Sequence, residues 1–384
     1  MKFLFSLIIL MTCLPLHGQS IRNFIFGHSL INHEFEVEPP VPSQETSVPH
    51  WLYLLADHGG KDYAVSGQYG FLPQHRNVPP MAQWGFDIVP FVWDSDNEPF
   101  ADANFTDILI TPGNFIQWQP PTENYFNETF SPVDATIDII QWSLEQEPGM
   151  DVYLYENWPD MAPYLGSGIP ASETEWIAYN DYLQGDFHQW NIDYRDAVQA
   201  AFPDDCIKMI PVGPAISDVL LATPFTSIPF DDLYEDDAPH GRPTLYFLAA
   251  IATYMAYYQE RPPLDYMPEQ IIHSTVRDNY EVAVDIIWQR LLAEGEVFCS
   301  PPTSTSHQAS LDLSIQSTEG DVVVAGLPSS ASHIALISID GSILSRGMAN
   351  QSTARLPKTS YQGIGIVVIY DSQGKIITST KILL

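Results

Sequence analysis

Five short apolar runs separated by helix-length stretches constrain this chain more than any other feature of its sequence. The runs are Phe24–Phe26, Tyr63–Val65, Asp107–Thr111, Val152–Tyr155 and Ile207–Val212, and each is followed by Gly, Asn or Pro. Such spacing predicts an α/β domain: a parallel, flavodoxin-like five-stranded sheet with helices on both faces. Helical periodicity runs through Ala135–Glu147 and, with breaks, through Glu173–Phe202. Thr244–Gln259 predicts a helix with Leu245, Leu248, Ile251, Ala252 and Met255 on one face. Pro268–Glu294 predicts a second, stopped by Gly295.

After that the pattern changes. Val297–His307 turns to Ser, Thr and Pro, a linker composition. Beyond it Leu311–Ile315, Val322–Ala325, His333–Ile339, Gly365–Tyr370 and Ile376–Ile382 are β-type runs divided by turns such as Asp340-Gly341, as in a small all-β sandwich. Charge divides at the same place. The chain carries a net −33, yet Pro301 to the end holds 5 acidic and 5 basic residues, so the whole excess precedes residue 301. That balance excludes nucleic acid as a partner and disfavours an anionic lipid surface.

The first residues form an export signal: Lys2, an apolar run Phe3–Leu16, then Gly18-Gln19-Ser20 for cleavage. The expected order is a signal peptide over 1–19, a catalytic domain over 20–296, a linker over 297–309 and a β-sandwich over 310–384. No other segment is long and apolar enough to span a membrane in the mature chain. Removing the signal leaves Cys206 and Cys299, which could pair in an oxidising compartment or remain two buried thiols.

Chemistry concentrates at two distant points. Phe26-Gly27-His28-Ser29-Leu30 follows the first strand, at the sheet end where open parallel sheets bind ligands. A helix starting behind Ser29 would aim N–H groups at a developing anion, although a serine there also suits a helix cap. Asp237-Ala238-Pro239-His240 stands before the Thr244 helix. A serine needs a base to take its proton, and that base needs a third group to hold its tautomer.

Together these motifs resemble the SGNH (GDSL-type) hydrolase family, whose Gly-x-Ser-Leu and Asp-x-x-His patterns match Gly27-His28-Ser29-Leu30 and Asp237–His240. The resemblance implies Ser29 as nucleophile, His240 as general base and Asp237 as its orienting partner. His28 replaces an Asp of the first motif that is not a triad member. For the oxyanion hole it implies the Ser29 N–H, Gly67 of Val65-Ser66-Gly67, and Asn114 of Thr111-Pro112-Gly113-Asn114, with Asn157 as the alternative. No cofactor and no metal is implied. Asp94–Glu98 lacks the Gly and terminal Glu of a calcium loop, and His33, His58, His75, His188 and His273 have no ligand spacing. Neither a Gly-x-Ser-x-Gly elbow, a Walker loop nor a Rossmann fingerprint occurs.

The C-terminal part resembles the type IX secretion sorting domain of the Bacteroidota. The resemblance rests on Gly320–Val324, Ile337–Gly341, Gly365–Asp371, Gly374-Lys375 and the terminal Lys381–Leu384. It implies type IX secretion machinery as a partner and a secreted or outer-membrane-surface location. All nine tryptophans precede residue 301, and Trp118 and Trp158, each after a strand end, are the candidates for stacking on a sugar. The leading expectation is a secreted serine esterase removing acetyl or other small acyl groups from a polysaccharide or oligosaccharide. A non-catalytic surface carbohydrate-binding protein and a metal-dependent hydrolase are the alternatives.

Overall fold

A computed structural model divides the chain into two units, 1–300 and 301–384. It describes residues 20–33, 47–86, 88–166, 169–295 and 297 of the first unit, and strands with adjoining residues between 314 and 383 of the second. The expected signal segment, Cys299 and residues 298–309 of the expected linker lie outside the described residues. Cys206 is disulfide-bonded.

The first unit is built on β1 (Ser20–Gly27), β2 (Asp62–Tyr69), β3 (Asp107–Ile110), β4 (Asp151–Glu156) and β5 (Ile207–Pro211). They form one sheet in the order β2-β1-β3-β4-β5, and every pairing is parallel. This is the doubly wound, flavodoxin-like order. Side chains alternate between its faces. Ile21, Ile25, Leu109, Tyr153 and Ile210 enter one core, while Phe24, Phe26, Ile108, Leu154 and Met209 enter the other.

The first core is roofed by α1 (Val48–His58), α6 (Val212–Leu220), α7 (Pro243–Tyr258), the short α8 (Ser274–Asp278) and α9 (Tyr280–Glu294). The second lies under α2 (Leu72–His75), α3 (Pro132–Gln146) and α5 (His188–Ala201). α3 starts three residues before the expected Ala135 because Ser131 caps it. Its hydroxyl accepts Asp134 N–H at 3.1 Å, and Asp134 Oδ2 accepts Ser131 N–H at 2.9 Å. Every residue of α7 is buried, not one face as its sequence suggests, because α1, α6 and α9 all pack on it. The stretch from 173 to 202 does not break into loops. α4 (Glu173–Tyr182) passes through a π-helical turn at Leu183–Phe187 into α5. α9 ends at Gly295, whose φ of +71° suits glycine.

That π-turn presents His188 to the buried Glu156 and the half-buried Glu294. His188 Nδ1 lies 2.8 Å from Glu156 Oε1, and Nε2 lies 3.3 Å from Glu294 Oε2. Arg290 bridges Glu294 at 3.0 Å and Asp218 at 2.6 Å, tying β4, α5, α6 and α9 together. Burial works against a charged His188, but its hydrogen bonds to Glu156 and Glu294 push the imidazole up to about 10. A raised histidine contributes stability fully present below its unfolded value and lost as pH rises through the folded one. The melting temperature is therefore expected to fall between pH 7 and pH 10. The fall should be shallower in His188→Gln; equal falls in both proteins remove His188 as the source.

The second unit holds β6 (Ser314–Ser317), β7 (Asp321–Ala325), β8 (His333–Ser338), β9 (Ile343–Met348), β10 (Thr353–Pro357), β11 (Ile364–Tyr370) and β12 (Ile376–Leu383). Two antiparallel sheets, β10-β7-β6 and β12-β11-β8-β9, share one core of Val322, Val324, Leu336, Leu356, Val367 and Ile369. β9 and β10 carry no long apolar run, which hides them in the sequence. β10 buries only Ala354 and Leu356, at alternate positions.

Candidate active site

Strand order reverses between β1 and β3, so the C-terminal ends of these two strands open on the crevice where doubly wound sheets bind ligands. Just past β1, Ile31 N–H donates to the His28 carbonyl at 2.9 Å and closes a turn that lifts Ser29 out. A Cβ at Gly27 would stand 2.9 Å from Ile25 and 3.2 Å from the Trp84 ring, so only glycine fits below the turn. No helix starts directly behind Ser29. The turn carries the serine instead, and α1 begins at Val48. His28 is buried. Its Nδ1 accepts Leu30 N–H at 3.3 Å, so its Nε2–H donates to the Pro112 carbonyl, 3.1 Å away, linking the turn to the end of β3. Burial pushes this imidazole down to about 4, so it is neutral at neutral pH.

The distant histidine motif arrives at the same place. Tyr234 and Gly241 pair as an antiparallel bridge, and Glu235 N–H donates to the His240 carbonyl at 2.9 Å. His240 Nε2 lies 2.9 Å from Ser29 Oγ. Its Nδ1 lies 2.6 Å from Asp236 Oδ2, and Asp236 Oδ1 accepts the N–H groups of Ala238 and His240 at 3.1 and 3.0 Å. The acid that meets the His240 ring is thus Asp236, and the sequence expectation of Asp237 is corrected. Closing the hairpin at Glu235 and His240 sets Asp236 beside the ring. The next residue is turned outward, where Asp237 is exposed and only its carbonyl is used, accepting Met161 N–H at 3.0 Å. Burial would raise Asp236, but hydrogen bonds from the His240 ring and backbone hold its carboxyl below its ordinary value.

Sequence reasoning missed a further residue. The His33 ring stacks on His240 with centroids 3.6 Å apart and planes within 5°. Burial and the His240 charge push His33 down to about 4. No spacing rule relates it to either motif. Trp158 is also corrected. It is 1% exposed, and its indole N–H donates to the Pro239 carbonyl at 2.9 Å, so it anchors the histidine hairpin from below and offers no face to a sugar. Trp118 is 77% exposed.

Of the expected oxyanion donors, two are available. Ser29 N–H and the buried Asn114 side chain make no hydrogen bond among the described residues. Gly67 is corrected: β2 continues past it to Tyr69, and its N–H already donates to the Trp84 carbonyl at 3.2 Å. Asn157, the alternative, donates its amide to the Pro112 carbonyl at 2.8 Å and is committed to holding the β3 end.

Two hollows are lined by the segment that carries Asn114. One, about 360 Å³, is lined by Asn114, Gln117, Trp118, Asp160, Tyr164 and Asp186 among others. Tyr164 stacks there on Tyr182 with centroids 4.9 Å apart. Asp160 N–H donates to the Asn114 carbonyl at 3.0 Å, which joins this cleft to the site. The other hollow, about 200 Å³, is lined mainly by apolar side chains on the Phe71 and Gly113 side. A third, about 380 Å³, is lined by Trp176, Leu220, Phe225 and Phe230 and includes none of the polar groups described above.

Among the described residues, His33, Asp236 and His240 are the one group whose donor atoms could gather on a metal ion, lying within 4.8 Å of one another. Both His240 nitrogens are already engaged. Nδ1–H donates to Asp236, and the Nε2 lone pair faces the Ser29 hydroxyl. A metal on His240 would have to displace one of them.

No family model and no curated protein matches the chain. Solved structures similar to it include a DUF4886 family protein from Bacteroides uniformis, at 14% identity, with a TM-score of 0.43 and coverage of 72% of this chain and 96% of that one. A putative GDSL-like lipase from Parabacteroides merdae follows at 13% identity and TM-score 0.35, covering 64% of this chain and 97% of that one. A carbohydrate esterase family 2 enzyme with its carbohydrate-binding domain, from Corynascus thermopiles (Myceliophthora fergusii), shows 12% identity and TM-score 0.30 over 63% of this chain and 67% of that one. Likenesses this distant carry no argument about activity. No described helix is long and apolar enough to cross a membrane.

Proposed function

We propose that this protein is a serine ester hydrolase acting on acylated carbohydrate through an acyl-enzyme. The observation that carries the reading is the unbroken hydrogen-bond chain Ser29 Oγ–His240–Asp236 at the strand-order reversal. His240 Nε2 takes the hydroxyl proton as Ser29 Oγ bonds to the ester carbon. The carbonyl oxygen, now anionic, meets the Ser29 N–H and the Asn114 amide. His240 then returns the proton to the departing alcohol. In the second half, His240 takes a proton from water, the hydroxide attacks the acyl carbon, and Ser29 leaves with that proton. Asp236 stays ionised throughout and stabilises the imidazolium. Its lowered affinity for protons suits that task.

The aromatic cleft beside Asn114 suits the alcohol side. Trp118 and the Tyr164–Tyr182 pair supply ring faces for stacking, and Asp160 and Asp186 supply acceptors for hydroxyls. Export by an N-terminal signal and passage through type IX secretion machinery belong to the same proposal, with the second unit as sorting domain and the location secreted or outer-membrane surface. Secretion of a reporter fused to residues 310–384 in a Bacteroidota host tests that part; retention in the periplasm sinks it.

A fluorophosphonate probe tests the chemistry. One equivalent is expected to attach, and peptide mass mapping should place it on Ser29; a folded protein that stays unlabelled is a binding protein, not a hydrolase. Asn114→Ala is expected to lower kcat on p-nitrophenyl acetate by about 10²–10³-fold, the usual cost of one oxyanion donor. Asn114 leaves the assignment if kcat is unchanged. Turnover should survive EDTA, since His240 spends both nitrogens within the triad.

A further inference from the structure

The hollow lined by Gly113, the neighbour of Asn114, has a different chemistry from the aromatic cleft. It is an open-sided hollow of about 200 Å³ lined by Phe71, Pro73, Gln74, Gly113, Phe115, Ile116 and Tyr125. Phe71 and Phe115 meet edge to face, 5.3 Å between centroids, and the Phe71 ring lies 5.2 Å from the ring of His28, the residue before Ser29. No carboxylate or basic side chain lines it, whereas the aromatic cleft holds Asp160 and Asp186. Gly113 lines this hollow, its neighbour Asn114 lines the cleft and Phe115 lines both, so the two spaces adjoin the segment that offers the Asn114 amide.

We propose that the apolar hollow is the acyl-group site and that it takes an aliphatic acyl chain longer than acetyl, while the aromatic cleft takes the alcohol. This rests on the ester-hydrolase reading. The carboxylates favour the hydroxyl-bearing arm on their side, and desolvation favours the hydrocarbon arm on the other. At about 30 Å³ for a water-sized group, the hollow has room for about six such groups, so an acetyl methyl leaves it largely empty and a chain of about four to six carbons fills it. Glycine at 113 keeps the space open. A Cβ there would meet the Phe115 ring at 3.6 Å and the Phe71 ring at 3.8 Å, ordinary contact distances, so a longer side chain is directed between those two rings.

The test is the chain-length profile of kcat/KM on p-nitrophenyl acetate, butyrate and hexanoate with the full chain, for the wild type, Gly113→Ala and Gly113→Leu. Each newly buried methylene is worth about fourfold, so butyrate should exceed acetate by about fifteenfold in the wild type. Gly113→Leu should lower the butyrate-to-acetate and hexanoate-to-acetate ratios at least tenfold, with Gly113→Ala between. The ratio is internal to each protein, so a variant of low yield still reports. Should Gly113→Leu fail to fold, the wild-type profile and Gly113→Ala decide. A wild type that prefers acetate, or ratios insensitive to residue 113, overturns the acyl site and leaves the hydrolase standing. A folded wild type that hydrolyses none of the esters and takes no fluorophosphonate overturns both.

Discussion

Replacing Ser29 with alanine is expected to lower kcat/KM on p-nitrophenyl esters by at least about 10⁴-fold, because no other group can carry the acyl intermediate. The fold should be untouched. Ser29 is half-buried, its carbonyl still accepts the Tyr246 hydroxyl at 2.7 Å, and the turn below it depends on Gly27 and His28. The melting temperature should therefore move by no more than about two degrees. Ester turnover that survives the substitution would place the chemistry elsewhere in the molecule.

The second large effect separates two adjacent acids. Asp236→Asn is expected to lower kcat by about 10⁴-fold. An amide in that position leaves His240 in the wrong tautomer and removes the charge that stabilises its imidazolium. Asp237→Asn should leave kcat close to wild type, since that side chain is exposed and only its backbone carbonyl is engaged, by Met161. Measured side by side, the two variants decide the triad. If Asp237→Asn proves the damaging one, the hairpin geometry around His240 is not the working one. The fluorophosphonate label is a third readout. Asp236→Asn should slow labelling of Ser29 steeply, because activation of the hydroxyl has been lost and not the hydroxyl itself.

How far the sequence reached can be judged from the same residues. All five strands of the parallel sheet were legible, because each carries a short apolar run where both faces of the sheet are covered. The missed strands were β9 and β10 of the second unit. β10 is buried on one side only, and two apolar residues do not make a run. Ser29 and His240 were legible because each sits at a recognisable punctuation point, one after a strand and one before a helix. Their separation of 211 positions gave no hint of the 2.9 Å between them. Asp237 was preferred to Asp236 on motif spacing, and only the hairpin pairing of Glu235 with His240 distinguishes two acids one residue apart. Gly67 follows the apolar run Tyr63–Val65, and nothing in the sequence marks β2 as running on to Tyr69. Trp158 and Trp118 follow strand ends alike, yet one is 1% and the other 77% exposed. Which way a residue faces after a strand depends on what packs above it, and above Trp158 lies the hairpin from 81 residues further along.

By itself, then, the sequence determined the alternation of strand and helix, the change to an all-β second unit, and the residue types able to do acyl transfer. Those properties depend on local hydrophobic period and on side-chain chemistry, both of which are carried within a few neighbouring positions. Tertiary structure decided which acid meets the His240 ring, that His33 stacks on it, that the Asn157 amide is bonded while that of Asn114, among the described residues, is not, and which hollow is apolar. The choice of acid is set by how the backbone closes between Glu235 and His240, and the others by packing between segments tens to hundreds of residues apart, which no window along the chain contains together.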